Sequence, residues 1–206
     1  MANAKAIILE KIKQALITSV PLPFPDESKR PIDFPNADVD LKQAFEQSFT
    51  SLQGEFFHCE NQAALPILLS DIFLHKNWQK VYCKEPQLMS VLQGQGIVLH
   101  QELASCDVSI TNCEALVSRT GSIVLSAAQQ EGRTASVYAP AHLCIATAAQ
   151  LHFDIRDALS FLEEKYNGNL PSFLTFASGP SRTADIEKTL VTGVHGPKEV
   201  SCILIG

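Results

Sequence analysis

The sequence predicts an α/β protein whose mostly parallel sheet carries helices on both faces. From Glu55 onward, short apolar runs alternate with helix-length amphipathic segments, the spacing that parallel strands joined by crossover helices require. At 206 residues with 46% hydrophobic content, the chain can bury one sizeable core, with room for a small appendage rather than a second full domain.

In chain order, Ile8, Ile12 and Leu16 repeat at i, i+4 spacing among good helix formers and predict a first helix. Five prolines between Pro21 and Pro35 predict an extended connector, less ordered than the rest when not docked on a partner. Residues 1–36 therefore read as an N-terminal helical appendage and residues 37–206 as the α/β domain. Leu41, Phe45, Phe49 and Leu52 form a second amphipathic stripe, which Gly54 ends. Strands are expected at Phe56–Cys59, Lys80–Cys83, Gly96–Leu99 and Val108–Ile110, and helices at Leu65–Phe73 and Pro86–Gln93. Between Glu114 and Ala146, the β-rich pieces Ser122–Leu125, Thr134–Tyr138 and Leu143–Ala146 are joined by turns, which predicts hairpin-like pairing in or beside the sheet. Asp154 caps a helix with Ile155, Leu159, Leu162 and Tyr166 on one face, closed by Asn167-Gly168 and followed by a strand at Ser172–Phe176.

The stretch Ser178–Pro197 reads as loop, helix, loop before a strand at Val200–Ile205. Gly179-Pro180 marks a turn, Ser181 or Thr183 an N-cap, and Ile186 and Leu190 repeat at i, i+4 before Gly193 and Gly196-Pro197. A small-residue loop opening a helix presents backbone N–H groups to an anion, with Arg182 beside them. Spacing alone leaves a second reading open: the glycines serve only turn geometry, Ser181 only caps, and Arg182 is a surface residue.

Composition excludes several functions. A net charge of −6 with no basic patch disfavours nucleic acid. No run of apolar residues is long enough to span a membrane, and the N-terminus lacks a signal-peptide core, so a cytoplasmic protein is expected. The six cysteines occur without a Cys-x-x-Cys pair, so no zinc ribbon or iron-sulfur site is expected. Gly94-Gln-Gly96 opens like a dinucleotide fingerprint, but Leu99 stands where the third glycine belongs. There is no Walker loop, Gly-x-Ser-x-Gly elbow or His-Glu-x-x-His helix either, and no cofactor or metal is assigned.

The segment Gly179-Pro-Ser-Arg-Thr-Ala-Asp-Ile-Glu-Lys-Thr-Leu-Val-Thr-Gly-Val-His-Gly-Pro197 resembles the signature of the lactate utilisation protein C family, also called LutC or YkgG, whose shared module is the LUD domain. Leu116-Val-Ser-Arg-Thr-Gly-Ser-Ile-Val-Leu125 and Val137-Tyr-Ala-Pro-Ala-His-Leu-Cys-Ile145 follow the family's order too, and the resemblance is firmest from Asp107 to Gly206. It implies a three-layer fold of the NagB/RpiA/CoA transferase-like group. It also implies a place in L-lactate utilisation, in which LutA-like and LutB-like iron-sulfur partners take part in oxidising lactate to pyruvate. One departure stands out: Arg119-Thr120-Gly121-Ser122 occupies the place where many members have Glu-Thr-Gly-Thr.

In open α/β sheets ligands collect beyond the carboxyl ends of strands, so the turns after Phe176, Ile110 and Tyr138 are expected to converge. Two of the five arginines, Arg119 and Arg182, fall in the motifs and suit a carboxylate or phosphate. The candidate ligand-binding set is Arg119, Thr120, Gly121, Ser122, Ser178, Gly179, Ser181, Arg182 and Gly196, with His195 as candidate acid or base. His142 reads as a structural histidine, and Asp107 and Glu114 as turn caps. Two function classes remain. One is an accessory component binding a small carboxylate; the other is a stand-alone isomerase or acyl/CoA-transferase-type enzyme acting on a small acidic or phosphorylated metabolite. Protein purified without oxygen is expected to be colourless; stoichiometric iron by elemental analysis, or a flavin spectrum, overturns that expectation.

Overall fold

The computed structural model describes residues 4–17, 39–129, 133–186 and 189–206. The proline connector, and with it the expectation of its weaker order, lies outside the described residues. The chain divides into the units Met1–Ala37 and Asp38–Gly206. In the first, helix α1 spans Ala4–Leu16, over the expected repeat.

The second unit begins with α2 (Leu41–Ser51), whose N-cap Asp40 accepts hydrogen bonds from the backbone N–H groups of Lys42 and Gln43. There follow β1 (Glu55–Cys59), α3 (Leu65–Lys76), β2 (Val81–Cys83), α4 (Pro86–Gly94), β3 (Val108–Thr111), β4 (Ala115–Val117) and β5 (Ser122–Ser126). The chain continues through α5 (Ala135–Tyr138), β6 (Ala141–Thr147), β7 (Leu151–His152), α6 (Ile155–Lys165), β8 (Leu174–Ala177), β9 (Arg182–Ile186), β10 (Thr189–Thr192) and β11 (Glu199–Ile205).

The central sheet is fully parallel, in the order β1-β11-β6-β3-β2. β6 and β11 pair along their whole length, from Ala141 opposite Glu199 to Thr147 opposite Ile205. Side-chain alternation sorts their residues onto two faces. Leu143, Ile145 and Ile203 pack with Leu65, Leu69 and Ile72 of α3 and Leu92 of α4. Cys144, Ala146, Cys202 and Leu204 pack with Phe45 and Phe49 of α2 and with Leu116, Ile123 and Leu125.

The last three belong to a second sheet, ordered β7-β4-β5-β8, which shares that face with α2. Its other side, Ala115, Val117 and Val124, is covered by Ala158 and Leu162 of α6. The expected α/β class with a mostly parallel sheet and helices is what the protein adopts. The hairpin expected after Glu114 forms between β4 and β5.

Four local expectations are corrected. The helix predicted around Ile186 and Leu190 is an antiparallel hairpin, with Thr183 opposite Val191 and Arg182 opposite Thr192. Thr183, Ile186, Thr189, Val191 and Thr192 are β-branched and favour extended backbone, and the i, i+4 repeat there was a coincidence of spacing. Thr134–Tyr138, expected as β, contains a helical turn in which the Thr134 carbonyl accepts from the N–H groups of Val137 and Tyr138. Gly96–Leu99 is reduced to a single bridge from Leu99 to Val81. Leu143–Ala146 lies in the middle of the parallel sheet rather than in a hairpin, because its partners β3 and β11 are far away in sequence.

Phe49 is fully buried, stacks on Phe45 at 5.3 Å between ring centroids, and is closely framed by glycines. A Cβ at Gly54 would lie 2.5 Å from the Phe49 ring, and one at Gly121 the same distance from its backbone nitrogen. Gly121 also has a positive φ of 56°, which L side chains rarely adopt. Phe49→Ala is expected to destabilise the fold by about 3–5 kcal/mol. Gly121→Ala, which forces α2 outward, is expected to cost about 1–3 kcal/mol. Denaturant unfolding checks both, and wild-type midpoints for both variants would refute this seat for α2.

Candidate functional site

The sequence-derived candidates fall into two groups, and a third polar assembly was not anticipated. The first group gathers at the C-terminal end of α2. The Ser122 hydroxyl lies 2.7 Å from both the Thr120 and the Ser178 hydroxyls, tying the turn before β5 to the turn after β8. Gly179, with φ of 79°, brings its turn so close to Leu52 that a Cβ would sit 2.5 Å from the Leu52 carbonyl oxygen. Arg182 donates to the same carbonyl at 2.7 Å, and the Arg119 guanidinium pairs with Asp154, the N-cap of α6. The Ser48 hydroxyl donates to the Arg119 carbonyl at 3.4 Å. Both arginines thus hold pieces of the fold together.

The second group surrounds His195. Gly193 N–H donates to the Ser181 carbonyl at 2.8 Å, and Ser181 N–H to the Pro197 carbonyl at 3.0 Å, so the turns on either side of the β9-β10 hairpin form one structure. Gly196 faces Ser181 so closely that a Cβ would approach the serine Cβ to 2.9 Å. Against this double turn lies an open cleft of about 520 Å³, whose lining includes His195, Lys198, Pro140 and Tyr138. His195 and Lys198 are exposed, and no carboxylate lines the cleft among the described residues. It adjoins the starts of β6 and β11, the amino edge of the central sheet.

The expected single cleft therefore does not form. β8 belongs to the second sheet and ends beside the start of β5, with Ala177 opposite Ile123. Tyr138 precedes β6, whereas the turn after Ile110 sits at the carboxyl edge. Arg119 and Arg182 are not part of the His195 cleft lining. With a strand hairpin in place of the helix, the helix N-terminal anion cradle is absent too.

The third assembly surrounds Glu114, which is buried between β3 and β4. Its carboxylate accepts from the Ser126 hydroxyl at 2.5 Å, the Tyr166 hydroxyl at 2.8 Å and the Lys165 ammonium at 2.6 Å. Burial opposes its ionisation, yet the bonds from Lys165, Ser126 and Tyr166 outweigh it and hold the carboxyl below its usual range. Glu114 is thus the centre of a side-chain cluster and not the expected turn cap. The pair Lys165-Tyr166 ending a capped helix is the only signal that could have pointed to it, and only the fold brings that pair alongside. Asp107 does cap, accepting from the N–H groups of Gln79 and Lys80, both at 2.8 Å.

His142 is buried as expected, with Nε2 2.9 Å from the Thr111 hydroxyl and Nδ1 without a hydrogen-bond partner among the described residues. Burial pushes its pKa down from 6.5 to about 4. All six cysteines are buried thiols. Cys144 lies between Cys113 and Cys202, and these contacts together with burial hold its thiol well above the usual pKa. Among the described residues no three His, Cys, Asp or Glu side chains converge as metal ligands, and no helix is long and apolar enough to cross a membrane.

The α/β fold is shared with a known protein family. The family profile of the LUD domain matches residues 42–205, and the chain belongs to that family. It is 29% identical over its full length to "Lactate utilization protein C" of Deinococcus radiodurans, covering 97% of that protein. It is 33% identical to "Lactate utilization protein C" of Geobacillus sp. (strain WCH70) over 48% of this chain and 42% of the relative. The chain thus spans nearly all of the first relative and about half the length of several others. Its fold is similar to the crystal structure of a DUF162 family protein from Deinococcus radiodurans, with a TM-score of 0.62 at 20% identity, covering 84% of this chain and all of that one.

The two titrating groups predict the acid limb of stability. A histidine with a depressed folded pKa stabilises above its ordinary 6.5, and that contribution is lost as pH falls towards about 4. The loss for His142 is expected to be on the order of 3 kcal/mol. Glu114, also depressed, adds to the loss at lower pH, as its carboxyl protonates. Chemical denaturation at neutral pH and at about pH 4, with an NMR titration in which the His142 ring stays neutral at about pH 5, checks both. A flat stability profile, or a His142 that titrates at its ordinary value, contradicts this account.

Proposed function

We propose that this chain is a component of an L-lactate utilisation system that binds a small carboxylate in the cleft beside His195 and Lys198 and carries out no redox step itself. The observation that supports the binding is a lysine and a histidine lining one open cleft that no carboxylate lines among the described residues, built on two joined turns of the signature segment. The names of the relatives support the lactate connection. In this reading the lysine ammonium meets the carboxylate, His195 donates to or accepts from the neighbouring oxygen, and the double turn keeps both side chains at the mouth. LutA-like and LutB-like iron-sulfur proteins supply the electron transfer, in the cytoplasm. The stand-alone isomerase or acyl-transfer alternative calls for a carboxylate or nucleophile beside His195, and none lines that cleft among the described residues.

Calorimetry with L-lactate, pyruvate and a phosphorylated acid tests the site. Lys198→Ala is expected to weaken binding about tenfold or more, the worth of one hydrogen bond to a charged group. His195→Ala should weaken it less, while Arg119→Ala lowers stability and leaves affinity unchanged. Equal affinities for wild type, Lys198→Ala and His195→Ala would remove the site. Reconstitution with co-expressed iron-sulfur partners tests the role: lactate oxidation that proceeds as fast without this chain as with it overturns the proposal.

A further inference from the structure

The carboxyl edge of the central sheet carries a separate cleft of about 220 Å³, lined by residues at or just beyond the ends of all five parallel strands. Gln62 follows β1, Gln87 lies in the first turn of α4 after β2, Asn112 follows β3, Thr147 ends β6 with Gln150 just beyond, and Ile205 ends β11. This is the edge at which open parallel sheets gather ligands. Its polar lining is four carboxamides and one hydroxyl, and no charged side chain faces it among the described residues. Leu88, Val91 and Ile205 supply apolar walls.

Two of the carboxamides are held from behind. Gln150 Nε2 donates to the Cys113 carbonyl at 2.6 Å, and its Oε1 accepts from Thr147 N–H at 2.8 Å. Asn112 Oδ1 accepts from Gln129, and its Nδ2 donates to Glu85 at 3.5 Å. A primary carboxamide has two donor hydrogens and two acceptor lone pairs, so these Asn112 contacts use one of each and leave one of each for a ligand. Immediately after Asn112 and Cys113 comes Glu114, clamped by Ser126, Lys165 and Tyr166, so the loop that presents Asn112 is fixed before any ligand arrives.

We propose that this cleft is a binding site for an uncharged group that offers both a donor and an acceptor edge, a carboxamide or a comparable heterocyclic amide, seated on an apolar body. A carboxylate would lose its hydration there and meet no countercharge, whereas an amide exchanges water for complementary amide pairs. The site is independent of the one beside His195, at the opposite edge of the sheet, and stands or falls separately from it.

Benzamide and benzoate, of nearly equal size and differing in charge and donor capacity, are the probes. In NMR titrations of the full chain, benzamide is expected to shift the side-chain amide signals of Asn112, Gln150 and Gln87 saturably, with millimolar affinity, and benzoate to bind there at least about tenfold more weakly. Val91→Phe, which fills the cleft from its apolar side, should abolish the benzamide response; Gln87→Ala, a milder change at the exposed rim, should weaken it. Both variants should still bind lactate like the wild type if the His195 site is real. Absence of a benzamide response in the wild type, an equal response to benzoate, or an undiminished response in a folded Val91→Phe protein overturns the proposal.

Discussion

The seat of α2 is the constraint on which the rest of this fold depends. The central sheet and the second sheet face each other across a layer that α2 shares, and Phe45 and Phe49 fill it as a stacked pair with no solvent access. Their burial removes a large apolar area from water, but it is possible only because the chain around Phe49 has been stripped of side-chain atoms. Gly54 leaves room for the ring and Gly121 for the backbone beneath it. The Gly179 turn then closes on Leu52, and Arg182 bonds to the same carbonyl, so two distant segments converge on the end of one helix.

That convergence changes how the signature residues are understood. Arg119, Thr120, Gly121, Ser122, Ser178, Gly179 and Arg182 look like a ligand cradle in sequence, because glycines, hydroxyls and arginines are what anion sites use. In the fold their hydrogen bonds and close approaches lead to α2, to α6 and to one another. The same residue types suit both purposes for one reason: a turn that lets backbone come close, with donors at its rim, receives a helix end as readily as it receives an anion. The polar groups with open space beside them lie elsewhere. One cleft, basic in character, sits at the amino edge of the central sheet, and one lined by neutral amides sits at the carboxyl edge. Charge separates the chemistry each can hold, since only the first offers a carboxylate a charged partner.

Much of the fold was legible in the chain itself. Leu41, Phe45 and Phe49 at helical spacing behind Asp40, Pro66 in the first turn of α3, Asp154 opening α6 and Asn167-Gly168 closing it are local signals, and local hydrogen bonds answer them. The alternation of strands and helices was sufficient to specify a parallel sheet, because helix-length crossovers allow little else. The burial of His142 was legible for the same reason, as it lies within a continuous apolar strand.

What only the tertiary structure decided were the features whose partners are far away along the chain. The segment Arg182–Thr192 carried both a helical repeat and β-branched residues, and the cross-strand pairing of Arg182 with Thr192 resolved the choice. Glu114 became the centre of a buried ion-paired cluster because the end of α6 delivers Lys165 and Tyr166 to it from 51 and 52 residues downstream. The amide cleft exists only where five strand ends meet, and none of its carboxamides stands out in sequence. Periodicity and capping are properties of a few neighbouring residues and can be read directly. Clefts and buried charges are properties of surfaces brought together by folding, and the energies that select them act between segments that the sequence alone does not place side by side.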